Sequence, residues 1–182
     1  MNEALGALEL ISIAAGIHTC DEMLKVAPVN LIEAACICPG KYIIFVGGGV
    51  SEVDSSVSRG LEVGAESVVD HLFIPNLHHQ IFPAISAASD VGQLDALGII
   101  ETFSVASTVV AADRAAKAAD VTLVEVRLAV GLAGKAYVTM TGDVASVNAA
   151  VEAGVQAVTP IGMLVKSIVI PSPHEEISGM LL

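Results

Sequence analysis

Positive charge is scarce in this 182-residue chain: eight lysines and arginines stand against twenty aspartates and glutamates, a formal net charge of −12. Such a surface repels phosphate backbones and anionic headgroups, so neither nucleic acid nor membrane is expected among its partners. Long apolar runs are missing too. Residues 102–112 are stopped by Glu101 and Asp113, and residues 71–89 are broken by Pro75, Asn76, Gln80, Pro83 and three histidines. No stretch therefore reaches the eighteen or so apolar residues of a transmembrane helix. The first ten residues hold Glu3 and Glu9 and no basic residue, so no signal peptide is expected and a cytoplasmic location is. Cysteine is limited to Cys20, Cys36 and Cys38. That is no even disulfide set, and a reducing compartment keeps all three as thiols.

What the chain does have is apolar surface, 54% of its residues against 15% charged, with a mean hydropathy of +0.74. Its length suits one large or two small domains, each near the lower limit of comfortable domain size. Oligomer interfaces are the expected cover for the apolar excess.

An internal repeat organises the sequence. Ala4-Leu5-Gly6-Ala7-Leu8-Glu9 returns as Ala96-Leu97-Gly98-Ile99-Ile100-Glu101, an offset of 92, and the register holds through Ser12/Ser104, Asp21/Asp113, Lys25/Lys117, Leu31/Leu123 and Glu33/Glu125. The offset becomes 94 at Gly40-Lys41 and Gly134-Lys135, and 96 at Pro75/Pro171 and His78/His174. Insertions thus fall at one loop and before the last strand. In the first copy, residues 5–11 are β-prone, and Ser12 is placed to cap a helix over 13–26 that Pro28 closes. Residues 30–37 and 42–46 predict a hairpin around Cys38-Pro39-Gly40, since Pro sets φ and Gly tolerates positive φ. Ser51, with Asp54 at the capping-box position, is expected to start a second helix running to about Gly64. A strand over 68–74 ends at Pro75, with a short helix after it. The order β-α-β-β-α-β, written twice, predicts an α+β protein of two tandem ferredoxin-like domains, 1–90 and 91–182, linked through 87–95.

Chemistry-bearing patterns are few. Gly47-Gly48-Gly49 before a helix is either a phosphate cradle or a plain strand-to-helix turn. It lacks the Walker Lys-Ser/Thr, and its copy, Thr141-Gly142-Asp143, puts a repelling carboxylate there. His71, His78 and His79 lack acidic or thiol partners at ligand spacing, and the return of His78 as His174 favours a structural role at an interface over a metal site. Cys20, among apolar helix residues, reads as a small buried thiol. Cys36 and Cys38 form a C-x-C at a strand end, with both sulfurs on one side. One chain does not supply the three or four thiolates of a zinc or iron-sulfur site, although symmetry would.

The motifs Leu-Gly-x-x-Glu (Leu5 to Glu9), Asp-x-x-x-Lys (Asp21 to Lys25; Asp113 to Lys117), Gly-Lys, Gly142-Asp143-Val144 and Ile-Pro-x-Pro-His-Glu (Ile170 to Glu175) resemble the shell-protein domain of bacterial microcompartments, in both copies and over nearly the whole chain. The tandem arrangement resembles the two-domain subfamily. Ile37-Cys38-Pro39-Gly40-Lys41 is similar to the pore loop of the iron-sulfur shell proteins of propanediol-utilisation compartments. The resemblance implies a homotrimer with pseudo-sixfold symmetry, tiling with other shell proteins into a polyhedral shell, and a lumenal redox enzyme among its partners. It also implies a pore framed by Pro39 and Gly40 of one loop and Gly131, Leu132, Ala133 and Gly134 of the other. Cys38 from three subunits would hold a 4Fe-4S cluster, one per trimer, for electron transfer or cluster delivery, the fourth iron taking water or an external ligand. Shell domains commonly carry an arginine at the lattice edge where this chain has Asn76 and Ser172, so the edge contacts are expected to rest on Lys25, Lys117, His78 and His174. Cys36 lies outside the family motif and is expected to pack within its strand.

Two other readings remain open at this stage. One is a cofactor-free tile whose central pore passes small polar metabolites. The other, from a different class, is a ferredoxin-like nucleotide-binding regulator or enzyme. It lacks a nucleophile–base pair, paired catalytic carboxylates and a complete phosphate motif, so no enzymatic activity is expected.

Overall fold

A computed structural model describes residues 4–92, 94–129 and 131–177. In the first copy β1 (Ala4–Leu10), α1 (Ile13–Val26), β2 (Asn30–Ile37), β3 (Lys41–Gly48), α2 (Val50–Gly64) and β4 (Val68–Ile74) follow the expected order. They form an antiparallel sheet ordered β2-β3-β1-β4. A five-residue helix α3 (Ile81–Ile85) intervenes before β5 (Ala96–Thr102), α4 (Val105–Ala118), β6 (Thr122–Arg127), β7 (Ala136–Gly142), α5 (Val144–Val158) and β8 (Leu164–Ile170). Their sheet has the matching order β6-β7-β5-β8. Among the described residues no helix is long and apolar enough to cross a membrane.

Local chemistry accounts for most of the boundaries. The Ser12 hydroxyl accepts the Ala15 amide at 3.3 Å and starts α1. Ala27, immediately before Pro28, is extended (φ −148, ψ 151) and ends the helix, as expected of a residue crowded by a following proline ring. The start of α2 corrects the sequence reading. The helix begins at Val50 with Gly49 as an N-cap that makes no side-chain bond. Ser51 therefore lies inside the helix, its carbonyl receiving the Ser55 hydroxyl at 2.8 Å, and no Ser51–Asp54 capping box forms. The repeat does cap α5 by side chain, with Asp143 Oδ1 accepting the Ala145 and Ser146 amides at 2.9 and 3.1 Å.

Alternation along β1 sends its even-numbered residues toward the helices. Gly6 lets α2 approach, since a Cβ there would stand 2.9 Å from Val53 Cγ1. Leu8 and Leu10 join Met23, Ile44, Val46, Val53 and Val57 in one core. The odd face of β1, with Leu5, Ala7 and Glu9, is buried as well. In β5 the same positions differ, because Ile99 and Glu101 are the two residues of that strand left partly exposed.

By their packing the residues form two compact units that do not follow the repeat boundary. The first contains the chain up to Leu77 together with Ser104–Ala106 and Ala129–Gly134; the second contains His78–Phe103, Ser107–Leu128 and the chain from Lys135 on. The strap after β4 belongs to the second unit through specific bonds. The His78 amide donates to Asp113 Oδ1 at 2.9 Å, and the Gln80 side chain donates to the Val121 carbonyl at 3.1 Å while accepting from the Leu123 amide at 2.7 Å. Gln80 thereby pairs with backbone at the start of the edge strand β6 in the way another strand would.

Candidate functional site

The β2–β3 ladder ends at the pair Ile37/Lys41, leaving Cys38, Pro39 and Gly40 as the turn. Gly40 takes φ +76, a conformation that costs other residues a Cβ clash, and the Cys38–Pro39 peptide is cis. The Cys38 amide donates to the Ala129 carbonyl at 2.9 Å. In the thiol-free loop Gly131, Ala133 and Gly134 have φ of +76, +50 and +87. A Cβ on Gly134 would lie 2.8 Å from Pro39 Cδ and 3.4 Å from the Cys38 carbonyl oxygen. Glycine at 134 is therefore what lets the second loop run against the Cys38–Pro39 peptide. The two loops that the repeat aligned are neighbours within the first unit.

Lys41, the last residue of the thiol loop, reaches back to β1, its Nζ 2.7 Å from Glu9 Oε1 with the Glu9 carboxylate fully buried. The other Glu9 oxygen accepts the Val105 amide, the first of α4, at 2.8 Å. A buried carboxylate thus has a cation on one oxygen and a helix N-terminus on the other, an arrangement that offsets its desolvation. Beside it the Ser104 hydroxyl bonds Asp70. Lys135 and Glu101 repeat the ion pair at 2.8 Å with both side chains partly exposed. Sequence reasoning missed this pairing, although its members, Glu9/Glu101 and Lys41/Lys135, recur in both copies.

The thiols separate by environment. Cys38 is half-buried, Cys20 buried and Cys36 exposed. Cys20 sits in the core cluster, and burial, then the neighbouring Asp21 charge, pushes its thiol pKa upward. Cys36 corrects an expectation: it pairs with Tyr42 across the ladder but is exposed rather than packed. Among the described residues no group of three or more His, Cys, Asp or Glu stands together as a metal site. The Gly47–Gly49 turn has the Glu52 carboxylate against Gly49 at the start of α2, which disfavours a phosphate there.

The four residues expected at a shell edge occupy different settings. Lys25 is exposed on α1 and paired with Asp21. Lys117 is half-buried, 2.6 Å from the buried Asp113. The His78 ring lies 4.4 Å from that of His79, and its buried Nδ1 has no hydrogen-bond partner among the described residues. Burial, then the His79 charge, lowers the His78 pKa. His174 is exposed, its Nδ1 accepting the Glu176 amide at 3.3 Å.

Two ferredoxin-like domains in tandem, with thiol and thiol-free loops side by side, define the class of a two-domain shell protein. The BMC domain model matches residues 4–77 and 96–173. The chain belongs to this family, the shell proteins of bacterial microcompartments. It is 46% identical over 175 residues to the bacterial microcompartment shell protein PduT of Citrobacter freundii, covering 96% of this chain and 95% of that one. A crystal structure of a microcompartment protein from Desulfitobacterium hafniense superposes with a TM-score of 0.87 and 52% identity, over 97% of this chain and 98% of the other. The fused permuted hexameric shell protein MSM0275 shares the fold, with a TM-score of 0.66 at 20% identity over 87% and 85% of the two chains. The chain is accordingly a structural shell tile, and the microcompartment shell is where it resides.

Proposed function

We propose that three chains close into a ring around a central axis, and that Cys38 of each chain supplies one thiolate to a shared 4Fe-4S cluster plugging the pore. The observation carrying this reading is the placement of Cys38: a half-buried thiol on a turn tied by its own amide to the Ala129 carbonyl and flanked by Gly134. A soft thiolate is the donor that iron-sulfur clusters take, and threefold repetition supplies three where one chain has one. Pro39 and Gly40 form the rest of the turn, and Gly131, Leu132, Ala133 and Gly134 line the opening beside it. Lys41, anchored on Glu9, fixes the turn to β1. When bound, the cluster would provide one-electron chemistry at the shell, serving electron transfer or cluster delivery to a redox enzyme inside, with other shell proteins as tiling partners.

The test is anaerobic reconstitution of the unaltered protein and Cys38→Ser. Visible absorption, a reduced-state EPR signal and about four irons per trimer are expected of the first, and a colourless trimer of the second. An undiminished signal in Cys38→Ser removes the assignment to this thiol. The alternative reading is a cofactor-free pore passing small polar solutes. Iron-free trimer after anaerobic preparation decides for it.

A further inference from the structure

The thiol loop carries a second cysteine that the cluster reading leaves unused. Cys36 faces Tyr42 in the last pair but one of the β2–β3 ladder, and Ile37, between it and Cys38, is buried. Alternation along the strand therefore turns the Cys36 and Cys38 side chains to the face opposite Ile37. Cys36 is exposed and Cys38 half-buried, so a small reagent in solution reaches this end of the loop. The residue across from Cys36 is held firmly: a Cβ on Gly16 of α1 would stand 2.6 Å from the Tyr42 ring. Cys20 is set apart from the loop pair by its burial in the helix-side core. That burial, which pushes its thiol pKa upward, also makes it the poorer nucleophile.

We propose that Cys36 and Cys38 form a dithiol which low-molecular-weight disulfides convert into a Cys36–Cys38 bond, and that this bond reversibly withdraws Cys38 from iron. The bond itself depends on this loop alone, while its effect on iron rests on the cluster reading above. Residues two apart along a strand have Cα atoms about 6.5 Å apart, inside the range of roughly 4.4–6.8 Å that a disulfide spans. The exchange balances in two steps. Cys36, the exposed thiol, attacks one sulfur of the small disulfide as its thiolate; the S–S bond of the reagent breaks and one small thiol is released. The Cys38 thiolate then attacks the Cys36 sulfur, the S–S bond of the protein forms and a second small thiol leaves. Two electrons and two protons have passed from the protein to the reagent. A ring closed over one intervening residue is strained, and strained or exposed disulfides are the readily reduced ones. Such a bond suits a reversible modification in a reducing compartment, where permanent disulfides are rare. The second copy of the repeat has no cysteine, so the device belongs to the thiol loop only.

The experiment treats the cluster-free protein, Cys36→Ser and Cys38→Ser with oxidised glutathione under anaerobic conditions and maps their peptides by mass spectrometry. The unaltered chain should lose both Cys36 and Cys38 to alkylation, joined in one intrachain disulfide with no glutathione retained. Each variant should instead keep glutathione on its remaining loop thiol. Neither side chain is fully buried and serine is close to cysteine in size, so both variants are expected to stay folded, as far-UV circular dichroism reports. A dithiol reductant should restore both thiols of the unaltered chain. Iron loading is then measured on that chain before and after reduction, and the oxidised form should bind none until the reductant is added. Glutathione retained on the unaltered chain, a link from Cys36 to Cys20, or a link between chains overturns the pair. An intrachain bond that leaves iron loading undiminished overturns its hold on Cys38. An intrachain bond in a chain that binds no iron even when reduced overturns the cluster reading and leaves the pair standing.

Discussion

Glu9 is the residue on which the first domain's polar interior depends. Its two oxygens are divided between Lys41 at 2.7 Å and the Val105 amide at 2.8 Å, with no exposure to water. Removing one member of a buried, hydrogen-bonded pair leaves the other desolvated and unpaired. Glu9→Ala should therefore cost about 3–5 kcal/mol of unfolding free energy in urea, and the loss should come with a loosened thiol loop, because Lys41 closes that loop. An unchanged urea midpoint would show that water reaches Lys41 and that the pair is a surface contact. The partly exposed twin, Glu101 with Lys135, belongs to the class of pairs that contribute at most about 1 kcal/mol within the chain.

Among the elements, the strap from His78 to Gln80 links stability to pH. Burial and the nearby His79 lower the His78 pKa, the Lys117 ammonium adds to this, and Asp113 opposes it. The fold thus prefers the neutral ring. Below the ordinary imidazole value of 6.5, the unfolded chain takes up the proton first, so the stabilisation present above that value is lost as pH falls toward the depressed folded pKa. The urea midpoint should decline as the pH falls through 6.5, and His78→Gln should flatten the decline. A profile that is the same in both proteins would place the titration elsewhere. The elements themselves were legible in the sequence because each rests on local chemistry. Ser12, Pro28, Gly40 and Pro75 set boundaries through backbone geometry and capping, and the repeat supplied each element twice. The start of α2 was misread because Ser51 offers the right side chain two residues past the cap position, and Gly49 makes no side-chain cap. The strap's allegiance to the second unit was not legible, since a Gln80 side chain that pairs with β6 has no local signature. The loop pairing was half legible: the repeat aligned the two loops, but only the fold shows that Gly134 touches Pro39 and that Cys38 bonds Ala129.

At the scale of the whole molecule, the excess of apolar residues becomes a pattern of exposed side chains. Ile11, Ile13, Ile17, Leu24 and Val26 stand exposed along and beside α1, more than scattered surface hydrophobes and in keeping with a shell subunit that is covered by its neighbours. Lys25, at the end of the same helix and exposed, is the residue we propose for contacts between tiles. Lys25→Ala should leave the trimer intact by sedimentation and reduce the extent of ordered sheets in electron micrographs. Sheets of undiminished order would assign the edge to other residues.

The bond from the Cys38 amide to the Ala129 carbonyl joins loops encoded by two halves of a single gene product. Six separate domains of two kinds, mixed in a cell, would assemble around an axis in many orders, with a number of thiols that varied from particle to particle. A peptide link between the two kinds removes that lottery. Each thiol loop arrives already beside a thiol-free one, so in the proposed ring the ratio of the two would be set by the reading frame instead of being left to expression levels.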